Sequence, residues 1–242
     1  LGQSFDIHTG GEDNIFPHHE CEIAQSECAN EKPFVQLWMH TRFLQVDSGK
    51  MSKSLGNVYS LDDLSQKGFS ALDFRFLALK AHYRGSLNFT WEALKGAAET
   101  RKTLLDLHGR LCSVSRGAEA EETSALLQVR QNFSKALKED LNTSAAFAAL
   151  FEIRALCLEG LSPSEAAAAL VLLEEADSVL GFLGPVAQCA LSDQDVDDLL
   201  AQRRAARDSR DFAQADAIRD QLQGAGIVLE DGADGTAWHR GC

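Results

Sequence analysis

A chain of 242 residues with 45% hydrophobic and 24% charged side chains has the make-up of an ordinary soluble globular protein, long enough for one large domain or two to three small ones. No apolar run reaches the ~18 residues of a membrane span, and a net charge of −13 argues against a generic nucleic-acid sponge. Six cysteines without CxxC pairs or regular spacing read as reduced, mostly buried thiols of a cytoplasmic protein rather than a disulfide framework. The opening Leu1-Gly2-Gln3-Ser4-Phe5 lacks an initiator Met and leads straight into an apolar strand, as a piece of a longer protein would.

In chain order, Ser4 to His8 reads as a short strand ending in Thr9-Gly10-Gly11-Glu12-Asp13. A strand running into paired glycines and an acid suits the carboxyl edge of an α/β sheet where a nucleotide lies. The glycines let a ligand approach, and a carboxylate accepts from ribose hydroxyls. The same string also serves turn geometry alone. Phe16 to Glu27 reads as a helix, with Pro17 in its first turn and acids complementing its N-terminal dipole. His18 and Glu22 lie four apart on one face, His19 and Ile23 on the next. Such a His/Glu pair can give two of the four ligands of a tetrahedral zinc, or be no more than a charged helix start. Cys21 points about 100° away from Glu22 and is no extra ligand. Residues 33–46 read as a helix that packs apolar side chains, then a strand from Phe43 to Val46, with His40 a positioned or core histidine.

That strand and the polar turn Asp47-Ser48-Gly49 deliver Lys50-Met51-Ser52-Lys53-Ser54, followed by Leu55-Gly56-Asn57. Two ammonium groups three residues apart, with hydroxyls between them and a glycine behind, make a mobile phosphate clamp; an arbitrary K-x-x-K is more often a solvated basic turn. Ser60 then caps a helix start, and Arg75, Lys80, Arg84 and Lys95 are interleaved with Leu72, Phe76 and Leu79 at helical spacing. Residues 66–118 carry a net +5 while the rest of the chain is acidic, so phosphate contacts with RNA would concentrate there. Helical periodicity runs from about Trp91 to Gly184, marking four helices broken near 117–123, 139–143 and 160–163; short connections of this kind suggest a bundle. Asn142 or Thr143 would cap the third. After a linker over 185–192, Asp193 to Ser209 and Phe212 to Gly224 read as helices, and 226–231 as a strand leading to Trp238. Pattern alone favours Phe212 and Trp238 as core and the nearby acids as solvated.

Lys-Met-Ser-Lys-Ser resembles the second signature of class I aminoacyl-tRNA synthetases, whose loop holds the triphosphate of ATP. The string from Phe5 to Glu27, then Phe34 to His40, then the lysine loop, narrows the resemblance to cysteinyl-tRNA synthetases, and the order from Ala206 through Phe212 to Trp238 resembles that family's tail. The fold then implied is mixed and mainly α: the C-terminal part of a Rossmann-like α/β catalytic domain (1–48), the lysine loop with a stem-contact region (49–103), a helical bundle (104–186) and a small α+β anticodon-binding tail (187–242).

The resemblance implies that Lys50 and Lys53 stabilise charge on ATP phosphates, that Gly11 and Asp13 border the ribose, and that His18 and Glu22 hold half the shell of one zinc. That metal takes the cysteine thiolate, and two family cysteines upstream would complete it. The family has Asn where Cys21 stands. Arg207, Phe212, Asp216 and Asp231 fall where the family contacts anticodon bases. The expected activity is joining cysteine and ATP (with Mg2+) into cysteinyl-adenylate, then transfer to tRNA(Cys), by a monomer. Two alternatives stay open: a ligase handing cysteine to an amino-sugar, for which an RNA-reading tail has no purpose, and a non-catalytic tRNA-binding module.

Overall fold

The structure is a computed structural model. It describes residues 2–184, 193–209, 211–225, 227–232 and 235–240, with backbone alone for Lys53, Asp193 and the final hairpin except Ile227, Leu229 and Trp238. The expected linker lies outside the described residues. In order the elements are β1 (Phe5–Gly11), α1 (Glu20–Asn30), β2 (Val35–Thr41), β3 (Leu44–Val46), β4 (Gly49–Lys50), α2 (Leu61–Gln66), α3 (Ala71–Leu79), β5 (Leu87–Phe89), α4 (Trp91–Val114), α5 (Ser124–Lys138), α6 (Thr143–Glu159), α7 (Pro163–Leu180), α8 (Asp193–Asp208), α9 (Phe212–Gly224), β6 (Ile227–Gly232) and β7 (Gly235–Arg240). The chain is mainly helical and divides into two units, one of residues 1–98 with 136–145, the other of 99–135 with 146–242.

In the first unit β1 and β2 pair in parallel, Phe5 against Val35 through Gly11 against Thr41, with α1 as the crossover that parallel pairing requires. The helix expected over 34–40 is therefore a strand. Its apolar run is short and rich in β-branched and aromatic residues, and a partner strand some thirty residues upstream takes up its backbone groups. Pro17 lies in a separate turn, Ile15–His19, ahead of α1 rather than in its first turn. β3 pairs antiparallel with β4 and parallel with β5. Between β3 and β4, Asp47 and Ser48 both hold left-handed φ (49° and 62°), as a two-residue hairpin favours.

Ser60 and Ser70 start α2 and α3 with full capping boxes to Asp63 and Asp73. The unit's core gathers Val46, Leu64, Phe76, Phe89 and Leu94, with Tyr59 and Trp91 packed on Phe89. At the end of α5, Asp140 accepts from the Tyr83 hydroxyl and, at 2.6 Å, from Arg84 Nε, and these partners hold its carboxyl below the usual carboxylate range.

In the second unit the buried residues of α4 to α7 include Leu104, Leu107, Leu111, Leu126, Val129, Phe147, Leu150, Ile153 and the alanines of α7. The sequence places these helices well. Asn142 Oδ1 accepts from Ala145 N–H as the expected cap of α6, and Ser162 with Glu165 closes a capping box on α7. Gly181 ends α7 at φ 63°, a position that suits glycine. Arg101 then donates to the carbonyls of Phe182 and Leu183.

The terminal hairpin of β6 and β7 packs Ile227 and Trp238 against Val196, Ile218 and Leu222. Trp238 is core as expected. Its indole N–H donates to Asp197 Oδ1 at 2.9 Å, its carbonyl accepts from Ser113, and the Arg116 guanidinium stands 4.0 Å over its ring. Phe212 is not core: it is 64% exposed. The thiols are not mostly buried either. Cys21 and Cys28 are exposed and Cys112 and Cys157 half-buried, the first two because α1 has no buried residue. Cys189 and Cys242 lie outside the described residues. No helix among the described residues is long and apolar enough to cross a membrane.

Candidate functional site

Two groups of chemistry-bearing residues sit in the first unit. At the carboxyl half of β1, His8, His19 and Glu22 bring their ligand atoms within 4.8 Å of one another. His8 comes from the strand, His19 from the turn before α1, and Glu22 from the first turn of α1. Glu22 Oε2 lies 3.3 Å from His8 Nε2, and Glu22 Oε1 lies 3.6 Å from His18 Nε2. The expected His18/Glu22 face is thus present, but His18 is the outer, largely exposed partner while His8 and His19 form the inner side.

His19 is 4% exposed. Its Nδ1 is 2.8 Å from His40 Nε2, and its ring lies 4.9 Å from that of His8 and 4.8 Å from that of Trp38. Burial first, then the neighbouring His40 and His8, pushes its pKa down and keeps the imidazole neutral, the form that binds a metal. His40 is the positioned histidine expected, paired with His19.

Glu22 Oε2 is shut off from solvent and accepts no hydrogen bond. A buried carboxylate oxygen that accepts no hydrogen bond, with imidazole nitrogens around it, is costly by itself and suits a cation. This donor set of imidazoles and carboxylate therefore fits a Zn2+ ion. Of this group the sequence expectation named only Glu22 as a ligand, and His8 is the member farthest from it in the chain. The only hint was its place in a strand that stops at the same glycine pair.

The glycines serve this packing. A Cβ on Gly10 would stand 2.7 Å from His19 Cε1 and 3.0 Å from Nε2, against a ring that cannot retreat. Gly10→Ala is therefore expected to lower stability by about 1–3 kcal/mol, read from denaturant unfolding; unchanged stability would show that the ring has room to move. A Cβ on Gly11 would meet only the carboxylate of Asp13, which is exposed and can swing aside. Gly11 and Asp13 are thus brought together at the strand end.

The second group is the lysine loop. Lys50 ends β4, is exposed and makes no ion pair among the described residues, and Lys53 opens a single 3-10 turn to Leu55; the Lys53 side chain lies outside the described residues. Asn57 Oδ1 accepts from Ser52 N–H at 2.8 Å while its Nδ2 donates to the Lys50 carbonyl at 3.1 Å. Asn88 of β5 does the same for the hairpin turn, accepting from Ser48 N–H at 2.8 Å and donating to Ser48 Oγ at 3.3 Å. In the second unit, Arg207 is exposed near the end of α8, and Phe212 and Asp216 lie one turn apart on exposed α9 positions. Asp216 is 3.5 Å from Arg219 Nη1, and the Asp231 side chain lies outside the described residues.

Three family models match along the chain: "tRNA synthetases class I (C) catalytic domain" over residues 1–99, "DALR domain" over 132–184 and "Cysteinyl-tRNA ligase anticodon binding domain" over 192–238. Proteins named Cysteine--tRNA ligase from Solibacter usitatus and Chlamydia pneumoniae are 44% and 42% identical over 99% and 97% of the chain, and over 53% and 51% of their own lengths. One from Idiomarina loihiensis is 42% identical over 99% of the chain and 52% of its own length. The chain thus spans about half the length of the curated relatives it matches. Among solved structures, the ternary complex of Agrobacterium radiobacter K84 agnB2 LeuRS with tRNA and LeuAMS superposes at a TM-score of 0.61. It is 22% identical, covers 74% of this chain and 26% of that one, and supports a likeness of fold.

Proposed function

Because the chain belongs to the cysteinyl-tRNA synthetase family, matching the carboxyl-terminal half of its members, we propose that it is part of a cysteine–tRNA ligase. The single observation that carries this is the alignment of nearly the whole chain, at about 40% identity, with enzymes of that name. The first unit supplies the end of a Rossmann-like catalytic domain and a stem-contact region, and the second a helical bundle and an anticodon-binding tail. The cysteine carboxylate attacks the α-phosphorus of ATP, held with Mg2+, and pyrophosphate leaves. The 3′-terminal ribose hydroxyl of tRNA(Cys) then attacks the adenylate carbonyl and AMP departs.

Lys50 and Lys53 act as electrostatic groups on the phosphates. Gly11 and Asp13 border the ribose. Glu22 would hold the zinc with His18, His8 or His19 beside it; bound there, the metal would supply a thiolate site that a serine hydroxyl cannot match. His40 orients His19, and burial excludes water from that ring. Arg207, Phe212, Asp216 and Asp231 read anticodon bases, the exposed Phe212 ring offering a stacking face. We place the enzyme in the cytoplasm as a monomer.

The matched anticodon-binding model speaks against an amino-sugar ligase. In the full-length protein, cysteine-dependent ATP–pyrophosphate exchange and charging of tRNA(Cys) are expected together. Exchange without charging would favour the amino-sugar reading, and neither would leave a tRNA-binding module.

A further inference from the structure

Asn57 is where the lysine loop closes on itself. Its side-chain amide spans the loop, taking the Ser52 N–H at one end and giving to the Lys50 carbonyl at the other. The other ties within the loop are weaker or shorter in reach: Leu55 N–H to the Ser52 carbonyl at 3.2 Å, and the Ser52 and Ser54 hydroxyls at 3.2 Å. Gly56 sits in the left-handed region at φ 65°, with open space around it, and Leu55 is 68% exposed. The loop is thus anchored by little of its own packing.

We propose that Asn57 is a positioning residue for phosphate-directed catalysis: its amide sets the backbone path from Lys50 to Ser52, and so the placement of Lys50 and Lys53. The inference rests on the reading of this loop as a phosphate clamp. A carboxamide both accepts and donates at one site. A carboxylate would keep the Ser52 contact and repel the Lys50 carbonyl, and a hydroxyl is too short to span both. Lysine is a point charge on a long flexible stem, so the backbone under it is what can be organised in advance. A displacement of about 1 Å at a positioned group can cost as much as ~10²-fold in rate.

The test uses the full-length protein and four forms: Asn57→Ala, Asn57→Asp, Lys53→Ala, and Lys53→Ala with Asn57→Ala. Asn57→Ala is expected to lower kcat for cysteine-dependent pyrophosphate exchange by about 10- to 100-fold, with KM for cysteine within about twofold and the thermal midpoint nearly unmoved. Asn57→Asp should behave like Asn57→Ala. In the Lys53→Ala background the same change should cost less than about threefold, because groups that act as a unit are not additive. Parent-like exchange in Asn57→Ala, or an equal loss in both backgrounds, overturns the inference. If Asn57→Ala does not fold, Asn57→Gln, which carries the amide one methylene too far, is read in the same assay. Should Lys53→Ala itself leave exchange unchanged, the clamp reading fails, whatever Asn57 does.

Discussion

Lys53→Ala in the full-length protein is expected to slow cysteine-dependent pyrophosphate exchange by about 10²–10³-fold, with KM for cysteine changed less than about threefold. Negative charge shifts onto the departing pyrophosphate in the transition state, and a fixed ammonium there is worth more as that charge grows. Under the proposed function cysteine would be held elsewhere, by the His/Glu group at the end of β1, so its binding would have no reason to follow. Lys50→Ala should cost less, since Lys50 lies at the solvent-facing end of β4. Steady-state exchange at varied ATP and cysteine separates the two constants. Equal loss of cysteine binding and turnover would remove the loop from the chemistry and make it structural.

The second large effect concerns the metal. Glu22 is common to both ligand sets, the His18 pair given by resemblance and the His8/His19 group given by geometry. Glu22→Ala in the full-length protein is therefore expected to weaken zinc at least ~10²-fold in competition with a chromophoric chelator, more than the 10- to 100-fold typical of outer-shell partners. KM for cysteine should rise in parallel. His18→Ala and His8→Ala then separate the sets: the variant that loses zinc with Glu22→Ala names the inner ligand, and the other should act only through orientation. Zinc retained stoichiometrically by Glu22→Ala would show that the buried oxygen meets some other partner.

Much of the helical architecture was legible in the sequence because its causes are local. The four helices α4 to α7, their breaks and the Asn142 cap follow from apolar spacing and from short polar side chains beside free N–H groups. The lysine loop and the order of motifs were legible for the same reason: each is a contiguous string. Residues 34–40 form a strand rather than the expected helix because a short apolar run has no periodicity of its own, and pairing with β1 decides its form.

The sequence by itself thus determined the helices, the caps, the lysine loop and the His18/Glu22 spacing, all set within a few residues of chain. Tertiary structure alone decided which groups meet. It joins His8 to Glu22 and His40 to His19 across 14 and 21 residues. It makes Gly10 the space into which the His19 ring fits. It buries Trp238 through Asp197, Ser113 and Arg116 while leaving Phe212 to solvent. A side chain's identity and local spacing set what it can bond; whether its partner is within reach depends on pairing and packing between segments far apart in the chain, which local pattern does not encode.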